Sequence, residues 1–470
     1  MNYKKYEEVM NQKARIMKDS IGIDYEDFEQ GNFSFDYEKM MRVCGYELEE
    51  IIDIQRKSGV GNTPLLELEN ITKLARMLSP KGKGARIFIK DEASNPSGSF
   101  KARRAAVSVY HAKKLGYSGI ISATSGNYGA AVASQAARSG LNCIVVQEVY
   151  DSKGIGQPEI LEKGRSCEAY GAEVVQLTVG PELFYYFLLL LEETGYFNAS
   201  LYTPFGIAGI ETLGFEVAQQ VRSIAGKDPE AVVITHAGGG NVTGTARGLK
   251  KAGCGNTQII AASVDLKGLH MASDTDFNKK SFTTGHTGFG IPFATWPDRA
   301  DVPRNAARPL RYMDRYGLVS QGEVFYVTEM LAQLEGLERG PAGNVSLAAA
   351  FALAQEMDDD QIIVVQETEY TGAGKHPLAQ LAFAKAHGVE VTRGNPEENR
   401  PGVNIVIPER PEQIRFCDIN MQSLKESYLK NIDNNYLKGK KDCLTSIDLE
   451  FLAEEIRLGK GKICDLLQVR

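Results

Sequence analysis

The apolar residues of the central chain form short runs that alternate with longer, alanine-rich stretches of helical spacing. Between Gly61 and about Arg400, the β-branched runs predict strands. The predicted strands are 85–90, 119–123, 142–147, 172–177, 231–235, 258–262 and 361–365, and predicted helices include 130–139, 211–224 and 345–355. Near-continuous apolar strands bounded by helices predict an α/β fold with a mainly parallel sheet covered on both faces.

The two ends of the chain depart from this alternation. Residues 1–60 show helical spacing in two stretches and predict a helical N-terminal extension. Beyond about residue 400, prolines punctuate the chain, and Thr445 to Asp448 has the form of a capping box that opens a helix. We therefore expect residues 401–470 to form an appended C-terminal module.

Composition narrows the class of protein. The 470 residues, 43% hydrophobic and 24% charged, fit a folded chain of more than one domain and exclude disordered, collagen-like or coiled-coil proteins. With 53 Lys and Arg against 60 Asp and Glu, the net charge of −7 leaves no broad basic field for nucleic acid or an anionic membrane. The longest apolar run, Leu183 to Leu191, is far shorter than the roughly 20 residues of a membrane-spanning helix. It predicts a core helix.

The seven cysteines are scattered, with no CxxC pair and no Cys/His cluster at metal-ligand spacing. We expect reduced thiols and no metal site, with a single catalytic cysteine as the open alternative. The first residues contain no apolar signal region, so a cytoplasmic location is expected.

A lysine stands at an unfavourable place for a cation. Lys101 follows the turn of residues 95–99 and begins a predicted helix. The helix dipole disfavours a positive charge there, and the same setting lowers the pKa of a lysine, as an imine-forming amine requires. Taken alone, the segment fits an ordinary solvated lysine.

Three further loops follow predicted strands. The first suits a carboxylate, because it offers backbone N–H groups and hydroxyls at a helix start; an ordinary helix cap is the alternative. It contains Thr124, Ser125, Gly126 and Asn127. The second is rich in glycine, so its amides can cradle a phosphate, although a tight turn has the same composition. It contains Gly238, Gly239, Gly240, Asn241 and Val242. The third, residues 366–375, offers a threonine hydroxyl.

The lysine and the three loops all lie at the carboxyl ends of predicted strands, where open α/β sheets bind ligands. In this order the four segments resemble the fold-type II pyridoxal-phosphate (PLP) enzymes, the threonine synthase and tryptophan synthase beta group. The similarity covers roughly residues 60–395, and Gly61 to Leu65 resembles the GxTPL segment of threonine synthases. A dehydrogenase is disfavoured, because GxGxxG would require glycine in place of Thr243.

The resemblance implies two open, mainly parallel sheets flanked by helices. Residues 61–102 and 211–400 would form the large PLP-binding domain, and residues 103–210 a small mobile domain. Lys101 would bind the cofactor covalently and then act as the proton-transfer base. Asn127 would contact the phenolic oxygen of the cofactor.

Other roles also follow from the resemblance. Thr124, Ser125 and Gly126 would bind the substrate carboxylate. The glycine loop from Gly238 to Val242 would hold the phosphate, with no cationic side chain required. Thr371 would face the pyridine nitrogen, with Thr368 as the alternative.

Within the group, the chain most resembles the larger subunits of a PLP-dependent thiolase family. That resemblance implies cleavage of 2-amino-4-ketopentanoate by coenzyme A to alanine and acetyl-CoA, in ornithine degradation. It also implies a small alpha subunit as partner and a dimer or larger assembly of this chain. The alternatives are a threonine synthase-like lyase or synthase acting at Cβ or Cγ, and a non-catalytic PLP-fold regulatory protein.

Overall fold

The computed structural model describes residues 5–43, 45–124, 126–180, 182–267, 277–280, 304–370, 377–437 and 444–468. In chain order, the strands are β1 Glu29–Gln30, β2 Ser34–Phe35, β3 Leu65–Glu67, β4 Arg86–Asp91, β5 Gly119–Thr124, β6 Asn142–Tyr150, β7 Glu173–Thr178, β8 Phe197–Asn198, β9 Ala231–Thr235, β10 Gln258–Val264, β11 Arg315–Val319, β12 Ile362–Glu367, β13 Glu390–Gly394, β14 Asn404–Pro408 and β15 Cys417–Asp418.

The helices of the same residues, also in chain order, are α1 Tyr6–Asn11, α2 Lys13–Ile21, α3 Tyr37–Val43, α4 Leu48–Lys57, α5 Glu69–Leu78, α6 Lys101–Lys114, α7 Asn127–Ser139, α8 Pro158–Ala169, α9 Glu182–Thr194, α10 Pro204–Ala225, α11 Gly240–Lys251, α12 Phe277–Lys280, α13 Pro309–Tyr312, α14 Gln321–Glu335, α15 Val345–Ala354, α16 Pro377–Ala386, α17 Met421–Ile432, α18 Ser446–Ile456 and α19 Lys460–Leu467.

The larger sheet has seven strands in the order β15-β11-β10-β9-β12-β4-β3. Its five central strands pair in parallel, while β3 and β15 pair antiparallel at the two edges. Successive residues of a strand face opposite sides of the sheet. Accordingly, Ile363 and Val365 of β12 pack against α5, α14 and α15, whereas Ile362 and Val364 join the core that contains α10 and α11. Helices therefore cover both faces.

The smaller sheet is entirely parallel, in the order β7-β6-β5-β8. One face packs on α9, through Phe187 and Leu188, and the other packs on α6 and α7. The α6, α7 and α10 helices belong to one continuous core with residues of both sheets. The carboxyl ends of the parallel strands of both sheets border the same cleft, in which the site described below lies.

The N-terminal hairpin and the C-terminal helix α18 pack against each other. The β1–β2 hairpin packs on α18, with Phe33 and Tyr37 against Phe451. The Asp448 carboxylate accepts hydrogen bonds from the backbone N–H groups of Asn32, Phe33 and Ser34, at 3.1 to 3.2 Å. It also accepts one from the hydroxyl of Thr445, at 2.7 Å. A capping carboxylate thus joins the N-terminal hairpin to a C-terminal helix.

The structure confirms the α/β fold with mainly parallel sheets. All seven predicted strands form. The helices predicted over 130–139, 211–224 and 345–355 lie within or nearly coincide with α7, α10 and α15. The apolar run of 183–191 lies in α9, as predicted. The N-terminal extension is not purely helical, because residues 29–35 form a hairpin. Across the residues given above, no helix combines the length and apolarity that a membrane crossing requires.

Candidate active site

The backbone around Lys101 is fixed by a short pairing with the segment that follows β12. The turn before the lysine uses two left-handed residues, Ser97 with φ of 66° and Gly98 with φ of 70°. Phe100 N–H then donates to the Thr368 carbonyl at 3.0 Å, and Tyr370 N–H donates to the Gly98 carbonyl at 2.7 Å. This pairing sets Lys101, the first residue of α6, beside the residues at the carboxyl end of β12.

The Lys101 amine lies inside the cleft. Burial lowers its pKa to about 8, and Arg104 and Lys163 act in the same direction, while the carboxyl groups of Glu369 and Glu159 oppose them. A lysine with such a pKa has a substantial neutral fraction near neutral pH, as covalent attachment of an aldehyde requires. The position and the titration of Lys101 agree with the role predicted for it.

The glycine loop, between β9 and α11, lines the same cleft as this lysine. Gly238, Gly239, Gly240 and Asn241 line the cleft. Gly239 has a φ of 83°, and a Cβ there would come within 2.5 Å of the Pro309 ring. The first N–H groups of a helix have no partner within the helix, so the start of α11 at Gly240 suits an anion. Val242 is buried and does not line the cleft, so its side chain does not contact a phosphate bound there.

Arg104 is the functional residue that the sequence analysis missed. It lies one helical turn after Lys101, and its guanidinium sits against the loop, because a Cβ on Gly240 would come within 2.5 Å of Arg104 Nη2. Arg104 is 2% exposed, and Nη1 donates to the Leu201 carbonyl at 2.7 Å. Its Nε has no acceptor in the described part of the chain, and burial lowers its pKa. In the sequence, Arg104 follows Lys101 by three residues, a spacing that places both side chains on the same face of a helix.

A buried guanidinium without a carboxylate partner is costly unless an anion joins it. In the described ranges, Arg104 has no ion pair with an acidic side chain. The expectation that backbone amides alone would hold a phosphate is therefore revised. The arrangement of Arg104, the glycine loop and the start of α11 fits a phosphate group.

The loop between β5 and α7 supplies the third side of the cleft. Gly126 and Asn127 line the cleft, and Asn127 Oδ1 accepts no hydrogen bond from the described residues. Thr124 does not line the cleft: its hydroxyl accepts hydrogen bonds from the N–H groups of Gly126 and Gly129, at 3.0 and 3.2 Å, and so shapes the loop from below. Ser125 lies outside the described residues.

The remaining side is built from α8 and from the segment after β12. Glu159, Ile160 and Lys163 of α8 line the cleft together with Thr368 and Glu369. Of the two threonines proposed for the pyridine nitrogen, Thr368 therefore lies at the cleft, and Thr371 lies outside the described residues. The charged residues of this side had no counterpart in the sequence analysis, because α8 carries no motif.

Two further segments lie outside the lining of the cleft. His236 is 1% exposed, and both of its ring nitrogens lack partners among the described residues. Burial lowers its pKa to about 4, so the ring is neutral beneath the glycine loop. The Gly61–Leu65 segment enters a buried ion network instead, in which the Thr63 hydroxyl donates to Glu92 at 2.6 Å.

An amine with a depressed pKa, in the same α/β cleft as a phosphate cradle, defines a site for PLP. Residues 56–369 match the family described as pyridoxal-phosphate dependent enzyme, and the chain belongs to that family.

Similar proteins narrow down which kind of PLP-dependent enzyme the chain resembles. The 2-amino-4-ketopentanoate thiolase beta subunit of Acetoanaerobium sticklandii is 69% identical over 452 residues, which cover 96% of this chain and 96% of that protein. The threonine synthase of Halalkalibacterium halodurans is 29% identical and matches 62% of this chain and 76% of its own. Among solved structures, a threonine deaminase from T.th. superimposes with a TM-score of 0.51 and 25% identity, over 69% of this chain and 98% of its own.

Proposed function

We propose that this chain is the cofactor-carrying subunit of a PLP-dependent thiolase. The reaction is cleavage of 2-amino-4-ketopentanoate by coenzyme A to alanine and acetyl-CoA, a step of ornithine degradation. The observation that carries the proposal is the 69% identity, along 96% of both chains, to a 2-amino-4-ketopentanoate thiolase beta subunit. The cleft supports it with a lysine of lowered pKa beside a phosphate cradle.

In this proposal the cofactor is held at four points. Lys101 forms the covalent link, and the phosphate lies between Arg104 and the loop Gly238–Val242. Asn127 contacts the phenolic oxygen through its side-chain amide, a contact supported by its place in the lining of the cleft. Thr368 or Thr371 faces the pyridine nitrogen, as an uncharged partner. When bound, PLP supplies an electron sink for charge that develops next to the amino group of the substrate.

The substrate carboxylate binds at the start of α7. The first N–H groups of α7 and the Ser125 hydroxyl provide donors beside Gly126, while Thr124 holds the loop in shape by accepting from the N–H groups of Gly126 and Gly129. Lys101, once released from the cofactor, moves the proton at Cα of the substrate. The neutral form that this requires is accessible because burial lowers the pKa of Lys101.

The proposed partners follow from the relative. A beta subunit acts with a small alpha subunit, and we expect this chain to do the same and to assemble as a dimer or larger species. Coenzyme A is the second substrate. The five cysteines in the described part of the chain are all free thiols, which suits a reducing compartment such as the cytoplasm.

A direct assay separates this function from a threonine synthase-like one. The purified chain, with PLP and the alpha subunit, is given alanine and acetyl-CoA, and formation of the amino-keto acid and free thiol is followed. Parallel samples receive threonine or phosphohomoserine, and ammonia or phosphate release is measured. Thiol release with alanine, abolished in Lys101→Ala, is expected. Turnover only in the threonine or phosphohomoserine samples would replace the proposal with the second activity.

A further inference from the structure

A buried cluster of charges lines the cleft beyond the proposed cofactor contacts. It consists of Glu159 and Lys163 of α8 and of Glu369, which are 6%, 6% and 3% exposed. Lys163 Nζ donates to the Tyr370 carbonyl at 3.2 Å, and Glu159 Oε2 accepts from Gln380 Nε2 at 2.7 Å. Neither carboxylate oxygen of Glu369 has a partner in the described ranges. An ionisable group as deeply buried and unpaired as Glu369 calls for a ligand or a reaction that uses it.

We propose that Lys163 binds and polarises the C4 ketone oxygen of the substrate, and that Glu369 exchanges the proton that the reaction moves between coenzyme A and C3. This inference rests on the proposed function, and it assigns the part of the cleft that handles the ketone. Ile160, on the same helix and 3% exposed, offers an apolar wall for the terminal methyl group.

The topology places this cluster within reach of a short substrate. Strand β6 pairs in parallel with β5, with Thr124 opposite Gln147, so the loops at their carboxyl ends are neighbours. The first of these loops starts α7 and would hold the carboxylate, and the second leads to α8. A substrate whose carboxylate lies at Gly126 and whose amine lies near Lys101 thus has its ketone end between α8 and Glu369. Lys163 is the cationic donor on that face.

The proposed step conserves atoms and electrons. The thiol of coenzyme A gives its proton to Glu369, and its sulfur forms a bond to C4 as the carbonyl electron pair moves to oxygen, stabilised by Lys163. The oxygen lone pair then re-forms the C=O bond and the C3–C4 bond breaks, which releases acetyl-CoA. The electron pair left on C3 takes the proton back from Glu369, and C3 becomes the methyl group of alanine. Oxyanion donors of this kind lower the barrier most when they are fixed in a dry site.

The surroundings of Glu369 suit proton exchange. Burial raises its pKa, while the ammonium groups of Lys163 and Lys101 oppose that shift and Glu162 adds to it. Glu159 and Glu367, the other nearby carboxyls, each have a pKa raised well above the ordinary value, with burial as the main cause and Glu369 as a contributor. A carboxylate with a raised pKa is a stronger proton acceptor than an ordinary glutamate, which suits a group that takes up a proton and returns it.

Measuring two partial reactions distinguishes the role of Glu159, Lys163 and Glu369 from that of the rest of the site. In D2O, the holoenzyme, with PLP and the alpha subunit, exchanges the Cα hydrogen of alanine through Lys101 alone, and NMR follows this exchange. Thiol release from acetyl-CoA with alanine also needs Lys163. We expect Lys163→Met to lower thiol release by about 100-fold, as loss of one oxyanion donor does, and to retain Cα exchange. The matched control is Lys113→Met, since Lys113 also donates to a carbonyl, that of Ser139 at 2.8 Å, but lies on the outer part of α6.

Glu369→Gln tests the proton path. This variant keeps the size of the side chain, so we expect Cα exchange to persist while exchange at the methyl group of alanine and thiol release both fall by about 100-fold. If Cα exchange falls in parallel with thiol release in either variant, the cluster only maintains the cleft, and the inference is overturned. If the unmodified enzyme exchanges Cα hydrogen but releases no thiol, the proposed thiolase function fails instead, and the inference falls with it.

Discussion

Arg103 and Glu92 form a bidentate ion pair with both side chains completely buried. Arg103 Nε lies 2.7 Å from Glu92 Oε2, and Nη2 lies 2.8 Å from Oε1. Arg103 also donates to Glu216, from Nη1 at 2.9 Å and from Nη2 at 2.8 Å. Although burial opposes the charge, Glu92 and Glu216 raise the pKa of Arg103. This network fixes the first turn of α6, and with it the backbone of Lys101.

Replacement of Arg103 by Met should destabilise the protein strongly. Removing one partner leaves buried carboxylates without compensation, which costs about 3–5 kcal/mol. Arg103→Lys should not restore stability, because an ammonium cannot make the paired contact with Glu92. Urea denaturation measures the change. Arg56→Met is the control: its pair with Asp53 is exposed, so a loss below about 1 kcal/mol is expected. Equal effects of the Arg103 and Arg56 changes would contradict the assigned role.

Glu216 should make stability depend on pH in the acid range. Although burial opposes it, Arg103 and Lys90 lower the pKa of Glu216 to about 2 in the folded chain, from an ordinary value of 4.5. Because the folded-state pKa is depressed, the stabilisation is complete above about pH 4.5 and disappears as pH falls towards 2; it amounts to about 3 kcal/mol. Urea denaturation of the wild type and of Glu216→Gln between pH 6 and pH 3 tests this. The difference between them should narrow as pH falls, and a constant difference would refute the assignment.

Attachment of the cofactor should follow the titration of Lys101. Only the neutral amine attacks an aldehyde, and burial lowers the pKa of Lys101 to about 8. The rate at which the cofactor-free chain combines with PLP, followed by absorbance, should therefore rise with pH and level off above a midpoint near 8. Nα-acetyl-lysine provides the reference for an unperturbed side chain. A midpoint for the protein as high as that of the free amino acid would show that Lys101 is solvated.

Arg104 should contribute to affinity through the phosphate and not through the ring. We expect Arg104→Met to weaken PLP binding by about 10- to 100-fold, the equivalent of a charge-assisted hydrogen bond worth 1.5–3 kcal/mol. Binding of pyridoxal, which lacks the phosphate, should change little. Fluorescence or absorbance titration of the cofactor-free chain supplies both constants. Arg138→Met, on the outer end of α7, serves as the control. Equal losses of affinity for PLP and for pyridoxal would show that the substitution disturbs the fold and does not act through the phosphate.

The central architecture was predictable because its signals are local. Strands such as β9 and β12 are continuous apolar runs, and a strand buried on both faces leaves that mark in the sequence. Strand β3, which forms an edge with only three residues, and β8, with two, are too short to show a period. Strand β11 contains Gly317 and a charged first residue, and it becomes a strand through its pairing with β10.

The residues of the site also fall into those that the sequence indicated and those that it did not. Lys101, Asn127 and the glycine loop carry residue types that few other structures require, so their spacing along the chain indicated a common cleft. Arg104 offered only its three-residue spacing from Lys101 as a signal, and Glu369 offered none, because an arginine on a helix and a glutamate after a strand are ordinary until their burial is known. The cluster on α8 depends on the packing of α8 against the segment after β12 and against α16, which no local pattern records.

The bonds of Asp448 to the N-terminal hairpin have a consequence for synthesis on the ribosome. Asp448 lies 414 residues beyond Ser34, whose backbone it holds. A chain that emerges N-terminus first completes its early domains while later ones are still being made. The hairpin therefore stays without its final contacts until almost all of the chain has left the exit tunnel. A segment translated long before Asp448 thus reaches its native environment only after Asp448 has been made.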